Sequence, residues 1–336
     1  MMKEAMLWRE EKGDVLCYLC ARRCVIKEGK RGLCGTRENR GGKLYSLVYG
    51  ILIARDIDPI EKKPLYHFLP GTSTYSIASP GCNFFCDFCQ NWQISQATHN
   101  GGFGIYGEHA RPEEIVADAI SYRCESISYT YTEPTIFFEF AYDTASLAKK
   151  SNLKNIFVTN GYQTEEAIEK MAGLIDAANV DLKSFSDDFY KRRCKARLEP
   201  VLKAIKKMHE VGIFLEITTL LIPGENDSKE EISEIAGFIA SISPDIPWHV
   251  SRFHPQYKLL DKNWTPAEKI FEALEIGKSQ GLKYVYAGNL PAGKYENTYC
   301  PSCGALLVER VGFHSRKVGL SGKRCSQCGE EVNFII

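Results

Sequence analysis

Residues 79 to 92 read SPGCNFFCDFCQNW, with three cysteines in a Cys82-x3-Cys86-x2-Cys89 pattern directly after the β-rich run TYSIAS (74–79). A tetrahedral zinc site or an ordinary four-iron cluster takes four protein ligands, so this stretch stops one short. Either a distant residue supplies a fourth ligand, or one coordination position is open. Placement matters as much as the count. A cysteine loop that follows a strand lies on whichever edge the next strands share.

Working outward, SISYTY (126–131), NIFVTN (155–160), ANVDLK (178–183), IFLEITTLLI (213–222), WHVSRF (248–253) and YVYAGN (284–289) repeat the β-rich character of TYSIAS. Between them PEEIVADAI, TEEAIEKMAGLI, LEPVLKAIKKMHEVG, SKEEISEIAGFIAS and TPAEKIFEALEIGKSQG carry apolar residues at i, i+3, i+4 spacing. This alternation predicts an α/β fold, a partial or near-complete (β/α) barrel in preference to an open doubly wound sheet. Chemistry in a barrel gathers at the C-terminal ends of the strands. Polar residues stand there: Thr132 and Glu133, Asn160, Asp181 and Lys183, His254, and Asn289.

The chain has 336 residues, 42 basic and 42 acidic side chains, and 13 cysteines. That length suits one barrel of about 200 to 250 residues with small appendages. The zero formal charge gives no global field for nucleic acid or an anionic membrane, and neither is expected as a partner. No apolar h-region opens the chain and no apolar run approaches a membrane span, so a soluble cytoplasmic protein is expected. Grouped cysteines then point to metal rather than disulfides.

Cys300, Cys303, Cys325 and Cys328 have close to zinc-ribbon spacing, with Gly304 and Gly329 after the knuckles. Structural zinc is the expectation there, because so short a segment cannot stand on its own core. Nucleic-acid or protein binding by its basic residues is the alternative. Cys17, Cys20, Cys24 and Cys34 form a less standard group, read as zinc or a second iron–sulfur cluster, with zinc preferred. The expected division is 1–72 for the N-terminal metal-binding segment and lead-in, 73–293 for the barrel and 294–336 for the ribbon-like module. Cys124 and Cys194 read as buried small hydrophobes, His67 and His249 as packed or loop histidines, and the basic run 191–197 as a solvated loop, with a site for an anionic substrate group near the barrel mouth as the alternative.

Three thiolates can hold three irons of a [4Fe-4S] cluster and leave the fourth iron for a non-protein ligand; a zinc site completed from elsewhere is the plainer alternative. The pattern, with Phe88 just before the last cysteine, resembles the signature of radical S-adenosylmethionine (SAM) enzymes. In that family the open iron binds the amino and carboxylate groups of SAM. The resemblance implies that Thr132 and Glu133 replace the usual Gly-Gly-Glu contact to SAM, without its glycines. It further implies that Asn160, Asp181, Lys183 and His254 hold the ribose and methionine ends, with Asp181, Lys183 and His254 also serving catalysis. It implies reductive SAM cleavage to a 5′-deoxyadenosyl radical that abstracts hydrogen from substrate.

More of the chain, including CYLCARRCVIKEGKRGLCGTR, YTEPTIFFEFAYD, VDLKSF and WHVSRFHPQYK, resembles the AmmeMemoRadiSam-system radical SAM proteins, relatives of pyruvate formate-lyase activating enzyme. That resemblance implies a flavodoxin- or ferredoxin-type electron donor and a pathway link to AMMECR1- and Memo-family proteins. An unidentified small-molecule substrate is expected; activation of a glycyl-radical partner protein is the alternative. A non-catalytic zinc or iron–sulfur protein that binds nucleic acid or serves redox is the remote third reading, and it would cleave no SAM.

Overall fold

The computed structural model describes residues 2–99 and 101–336. Residues 54–59, within the expected N-terminal lead-in, form β1 (Ala54–Pro59), antiparallel to β2 (Ser73–Ala78). The remaining runs become β3 (Ser126–Tyr129), β4 (Lys154–Thr159), β5 (Ala177–Asp181), β6 (Phe214–Leu221), β7 (Trp248–Arg252) and β8 (Val285–Gly288). One eight-stranded sheet runs β8-β7-β6-β5-β4-β3-β2-β1, parallel from β2 to β8. Its end strands β1 and β8 are not paired with each other, so the barrel is partial.

The parallel strands are buried on both faces, which is why their sequences are nearly continuous apolar and small-residue runs. Six helices cover the outside: α1 (Pro112–Ser121), α2 (Phe138–Lys150), α3 (Glu165–Met171), α4 (Leu198–Glu210), α5 (Lys229–Ile242) and α6 (Ala267–Ser279). In α4 the buried side chains are Leu198, Val201, Ala204, Ile205 and Met208, the i, i+3, i+4 stripe that makes a surface helix adhere to a sheet. Thr164 and Ser228 open α3 and α5 by accepting from the Ala167 and Glu231 amides, which satisfies otherwise orphaned donors. Gly277 lets α6 approach the sheet closely, since a Cβ there would meet the Trp248 ring at 3.0 Å.

Two small antiparallel sheets precede the barrel: Lys3–Glu4, Lys43–Ser46 and Arg37–Arg40 in one, Trp8–Glu11, Asp14–Cys17 and Val25–Ile26 in the other. After β8, Thr298–Tyr299, Leu306–Val311 and His314–Lys317 form a third. This C-terminal sheet is bolted to the segment between β1 and β2. Arg310 Nη2 donates to the Tyr66 carbonyl at 2.7 Å, Ser315 Oγ to Glu61 Oε1 at 2.5 Å, and Ile335 N to the His67 carbonyl at 2.9 Å. The gap between β1 and β8 is therefore spanned by residues 61–66 from one side and 310–315 from the other.

The same segment is held inside the barrel. Buried Glu216 accepts from the Tyr66 and His67 amides at 3.0 and 2.8 Å and pairs with His249 Nε2 at 2.7 Å. His67 reaches the Asn333 carbonyl through Nδ1 (2.7 Å) and the Tyr286 hydroxyl through Nε2 (2.6 Å). Both histidines are packed, as expected from the sequence. Among the described residues, no helix is long and apolar enough to cross a membrane.

Candidate functional site

The three-cysteine loop begins where β2 ends, and its backbone is clamped from several directions. Phe85 N and Asp87 N donate to the carbonyls of Cys194 and Arg193 (3.1 and 3.0 Å). Arg22 Nε and Nη2 donate to the Asn83 carbonyl (3.1 and 2.8 Å), and His99 Nε2 lies 2.8 Å from the Cys82 carbonyl. A loop fixed in this way presents its side chains in one geometry. The clamp residues Arg22, His99 and Cys194 carried no sequence signal, because each comes from a different segment. The basic run is spent on the same scaffold. Arg193 pairs with Glu225 and Asp87, Arg192 with Asp188, and Lys191 and Arg197 with Asp187.

Cys82, Cys86 and Cys89 form one wall of a cavity of about 1040 Å³ inside the barrel. None is in a disulfide. Hydrogen-bond donors already aim at sulfur: Phe84 N lies 3.3 Å from Cys82 Sγ, Asn160 Nδ2 3.7 Å from the same atom, and Ser95 Oγ 3.1 Å from Cys89 Sγ. Burial, followed by the Glu133 charge, pushes the Cys82 thiol well up. Cys86 is raised first by its hydrogen bond to Cys194 and then by burial. Such thiols are poor nucleophiles until a metal takes the place of their protons. The donor set fits a metal cluster held by three thiolates.

Across the cavity the parallel register puts Asp181, Thr218, His249 and Tyr286 in one row on β5 to β8. The first three line the cavity. Thr218 Oγ1 is buried and bonds no protein group, so it is a polar contact the cavity can offer. Lys183 Nζ bonds Asp181 Oδ2 at 3.0 Å and lies 5.9 Å from the Phe88 ring centroid. Burial works against the Lys183 charge, but the Asp181 carboxylate outweighs it and holds its pKa well up. Phe88 is buried against the cysteines, and Phe84 packs edge-on to Tyr162.

The sequence-predicted residues do not all meet in the cavity. Asn160, Asp181, Lys183, Thr132 and Phe88 line it with the three cysteines. Asn160 anchors the loop as well, with Nδ2 donating to Asn83 Oδ1 at 2.7 Å. Thr132 Oγ1 donates to the Ser79 carbonyl at 2.8 Å, which ties the β3 loop to the start of the cysteine loop. Glu133 stands behind the wall, fully buried, accepting from Thr135 N, Thr135 Oγ1, Thr159 Oγ1 and Asn160 N. His254 stands at the rim, its Nδ1 3.5 Å from Gln90 Nε2.

Other cavity residues were not expected. Tyr131 sits at φ +61°, a left-handed conformation rare for an aromatic residue, with its hydroxyl on Asp58 and Lys63 Nζ 4.3 Å from its ring centroid. Lys63 is 1% exposed and paired with Asp58; burial lowers its pKa to about 8. Arg310 joins from the C-terminal sheet, its guanidinium 4.2 Å from the Tyr66 ring centroid. These groups become neighbours only through β1 and the C-terminal module, contacts that local periodicity does not encode.

In the C-terminal module, Cys300, Cys303, Cys325 and Cys328 have all four Sγ atoms within 4.8 Å of one another, a candidate metal site. Cys300 to Cys328 is 3.6 Å and Cys303 to Cys325 is 3.7 Å. Cys17, Cys20, Cys24 and Cys34 gather around a smaller cavity beside Asn83. Cys124 and Cys194 are buried as expected, and Cys194 lies against Cys86.

Comparison with known proteins agrees with this geometry. Residues 76–239 match the model of the radical SAM superfamily. An uncharacterized protein of Methanocaldococcus jannaschii is 46% identical over 339 residues, covering 100% of both chains. Benzylsuccinate synthase activating enzyme of Thauera aromatica is 27% identical over 58% of this chain and 66% of its own. Among solved structures, a radical SAM methyltransferase from Sphaerobacter thermophilus is similar at a TM-score of 0.52, with 18% identity and 71% of each chain covered, a likeness of fold. The family model runs from within β2 through most of α5, cysteine loop included, and with a relative aligned from end to end the chain belongs to the radical SAM superfamily of enzymes.

Proposed function

We propose that this protein acts on a small polar molecule enclosed within the barrel. The observation that carries this reading is the closed side of the cavity. Residues 61–64, Tyr66 and 310–313 line it across the gap between β1 and β8, where a partial barrel would otherwise admit a protein loop. The volume of about 1040 Å³ has room for SAM and a modest second molecule.

In this reading Cys82, Cys86 and Cys89 hold a [4Fe-4S] cluster and leave one iron for SAM. When bound, the pair supplies one-electron cleavage of the sulfonium to methionine and a 5′-deoxyadenosyl radical, which takes hydrogen from substrate. Asp181 would pair with the cationic end of SAM, while Lys183 and Asn160 would offer donors to its carboxylate and ribose. Thr132 and Glu133 position the β3 loop and the Asn160 amide. His254, through Gln90, sits where a rim group admits or retains substrate. Phe84 and Phe88 exclude water from the cysteines. Thr218, Ser251, Lys63, Tyr131 and Arg310 supply the polar and cationic contacts for the second molecule, which favours an anionic or hydroxyl-rich substrate. An external reductant supplies the electron.

Activating enzymes of glycyl-radical proteins are among the relatives, which makes protein activation the competing reading. The two separate in one experiment. Reconstituted protein, SAM and reductant are incubated with a fully deuterated cell extract split by size. Deuterium in 5′-deoxyadenosine from the small-molecule fraction supports the proposal. Deuterium from the protein fraction alone overturns it in favour of an activase.

A further inference from the structure

We propose that Cys17, Cys20, Cys24 and Cys34 hold a second four-iron cluster, with a cysteine on every iron, rather than zinc. The four come from the strand Asp14–Cys17, the turn after it and the loop before Arg37, and they surround one small cavity with Ile26 and Ile136. The hairpin is closed by Cys17 N donating to the Cys24 carbonyl at 2.9 Å. The Cys34 loop is pinned by Thr98 Oγ1 on the Cys34 carbonyl at 2.6 Å. At Gly35, φ is +70° and a Cβ would strike the Thr98 carbonyl oxygen at 2.1 Å, so this close approach requires glycine.

Spacing separates the two metals. One zinc with bonds of about 2.3 Å in a tetrahedron brings its sulfurs to about 3.8 Å of one another. The C-terminal cysteines meet that requirement, with two pairs at 3.6 and 3.7 Å. Among the described residues, theirs is the cysteine group whose Sγ atoms all lie within 4.8 Å; neither the three-cysteine loop nor the N-terminal four satisfies that limit. Cysteines that each bind a different iron of one cube stand farther apart than cysteines sharing one ion, so an N-terminal group that misses the spacing of a zinc tetrahedron favours a cube.

The lining of the cavity is the second, independent observation. Arg37 is 1% exposed, its Nη1 lies 3.7 Å from Cys17 Sγ, and its Nε has no partner. Asn83, also 1% exposed, lines the same cavity, and its Nδ2 is buried without a partner. Two buried N–H donors with nothing to bond are costly unless an acceptor fills the space. The Arg37 charge is already paired with buried Glu139, so what it adds is its spare N–H. A zinc ion offers no acceptor for such donors, whereas the inorganic sulfides of a cluster do. Asn83 belongs to the three-cysteine loop, so the proposed cluster lies against that loop.

The assignment stands apart from the substrate reading and has its own test. The full chain carrying Cys82→Ala, Cys86→Ala and Cys89→Ala is reconstituted anaerobically with iron and sulfide. Iron, acid-labile sulfide and zinc are then counted, and the reduced protein is read by electron paramagnetic resonance. The proposal expects about four iron and four sulfide to remain in this variant, against about eight of each in the unmodified chain. Adding Cys20→Ser and Cys24→Ser removes the remainder. A cooperatively folded triple variant that holds no iron, or holds zinc at the N-terminal cysteines, overturns it. Should the triple variant fail to fold, the unmodified chain decides: about eight iron supports the cluster, and about four contradicts it.

Discussion

Glu133 accepts four hydrogen bonds with no exposed surface, so its removal would strand the Asn160 amide, both Thr135 donors and the Thr159 hydroxyl in the interior. Glu133→Ala is expected to cost about 3 kcal/mol in anaerobic urea unfolding. A change under about 0.5 kcal/mol, the scale of a surface substitution, would contradict the bracing role. His67 makes a different prediction at the same scale. Burial lowers its pKa to about 4, against about 6.5 in the unfolded chain. Between those values the unfolded chain binds the proton and the native one does not, so stability falls as the pH drops from about 6.5 toward 4. The loss is bounded near 3 kcal/mol. Glu216, whose carboxyl is held low by His249 against the opposing effect of burial, adds a loss of the same sign on acidification. His67→Gln should flatten the stability curve between pH 6.5 and 4, and an unchanged slope would exclude His67 as its source.

At the scale of elements, the C-terminal sheet has a core of only Cys300, Leu307, Val308, Cys325, Val332 and Phe334. Six buried side chains are too few to hold such a segment without a metal or a docking partner, and here both are available. Cys325→Ser is expected to lose one bound metal per chain and to expose residues 300–330 to proteolysis, while the iron of the barrel remains. Retention of metal and of protease resistance would contradict a structural site. The parallel strands were legible to within about two residues, because each is an apolar run closed by a polar residue. Strand β1 was not: ARDIDP is an edge strand carrying charges and ending in Pro59, the composition that protects a sheet edge. The cysteine loop and its companions Asn160, Asp181 and Lys183 were legible because strand ends converge in a barrel. Lys63, Tyr131 and Arg310 were not, because only β1 and the C-terminal module bring them to the cavity. Glu133 shows the limit of motif reasoning: the motif located the residue, but the direction of its side chain depends on the donors of β4.

For the whole molecule, the proposal of a small substrate rests on residues of the 61–66 and 310–313 segments that line the cavity across the gap between β1 and β8. Arg310→Ala removes the guanidinium that bridges Tyr66, Thr298 and the Glu296 carbonyl. It is expected to cut turnover with substrate at least tenfold while leaving slow, substrate-free SAM cleavage within twofold, assayed side by side. Equal loss of both would place Arg310 in general stability instead. The most direct test of the account is 5′-deoxyadenosine formation, measured by mass spectrometry on anaerobically reconstituted, reduced protein given SAM, with Cys86→Ala alongside. The account predicts 5′-deoxyadenosine and methionine from the unmodified chain and none from the variant. No product from a chain with its iron intact and SAM bound, or equal product from Cys86→Ala, would contradict it.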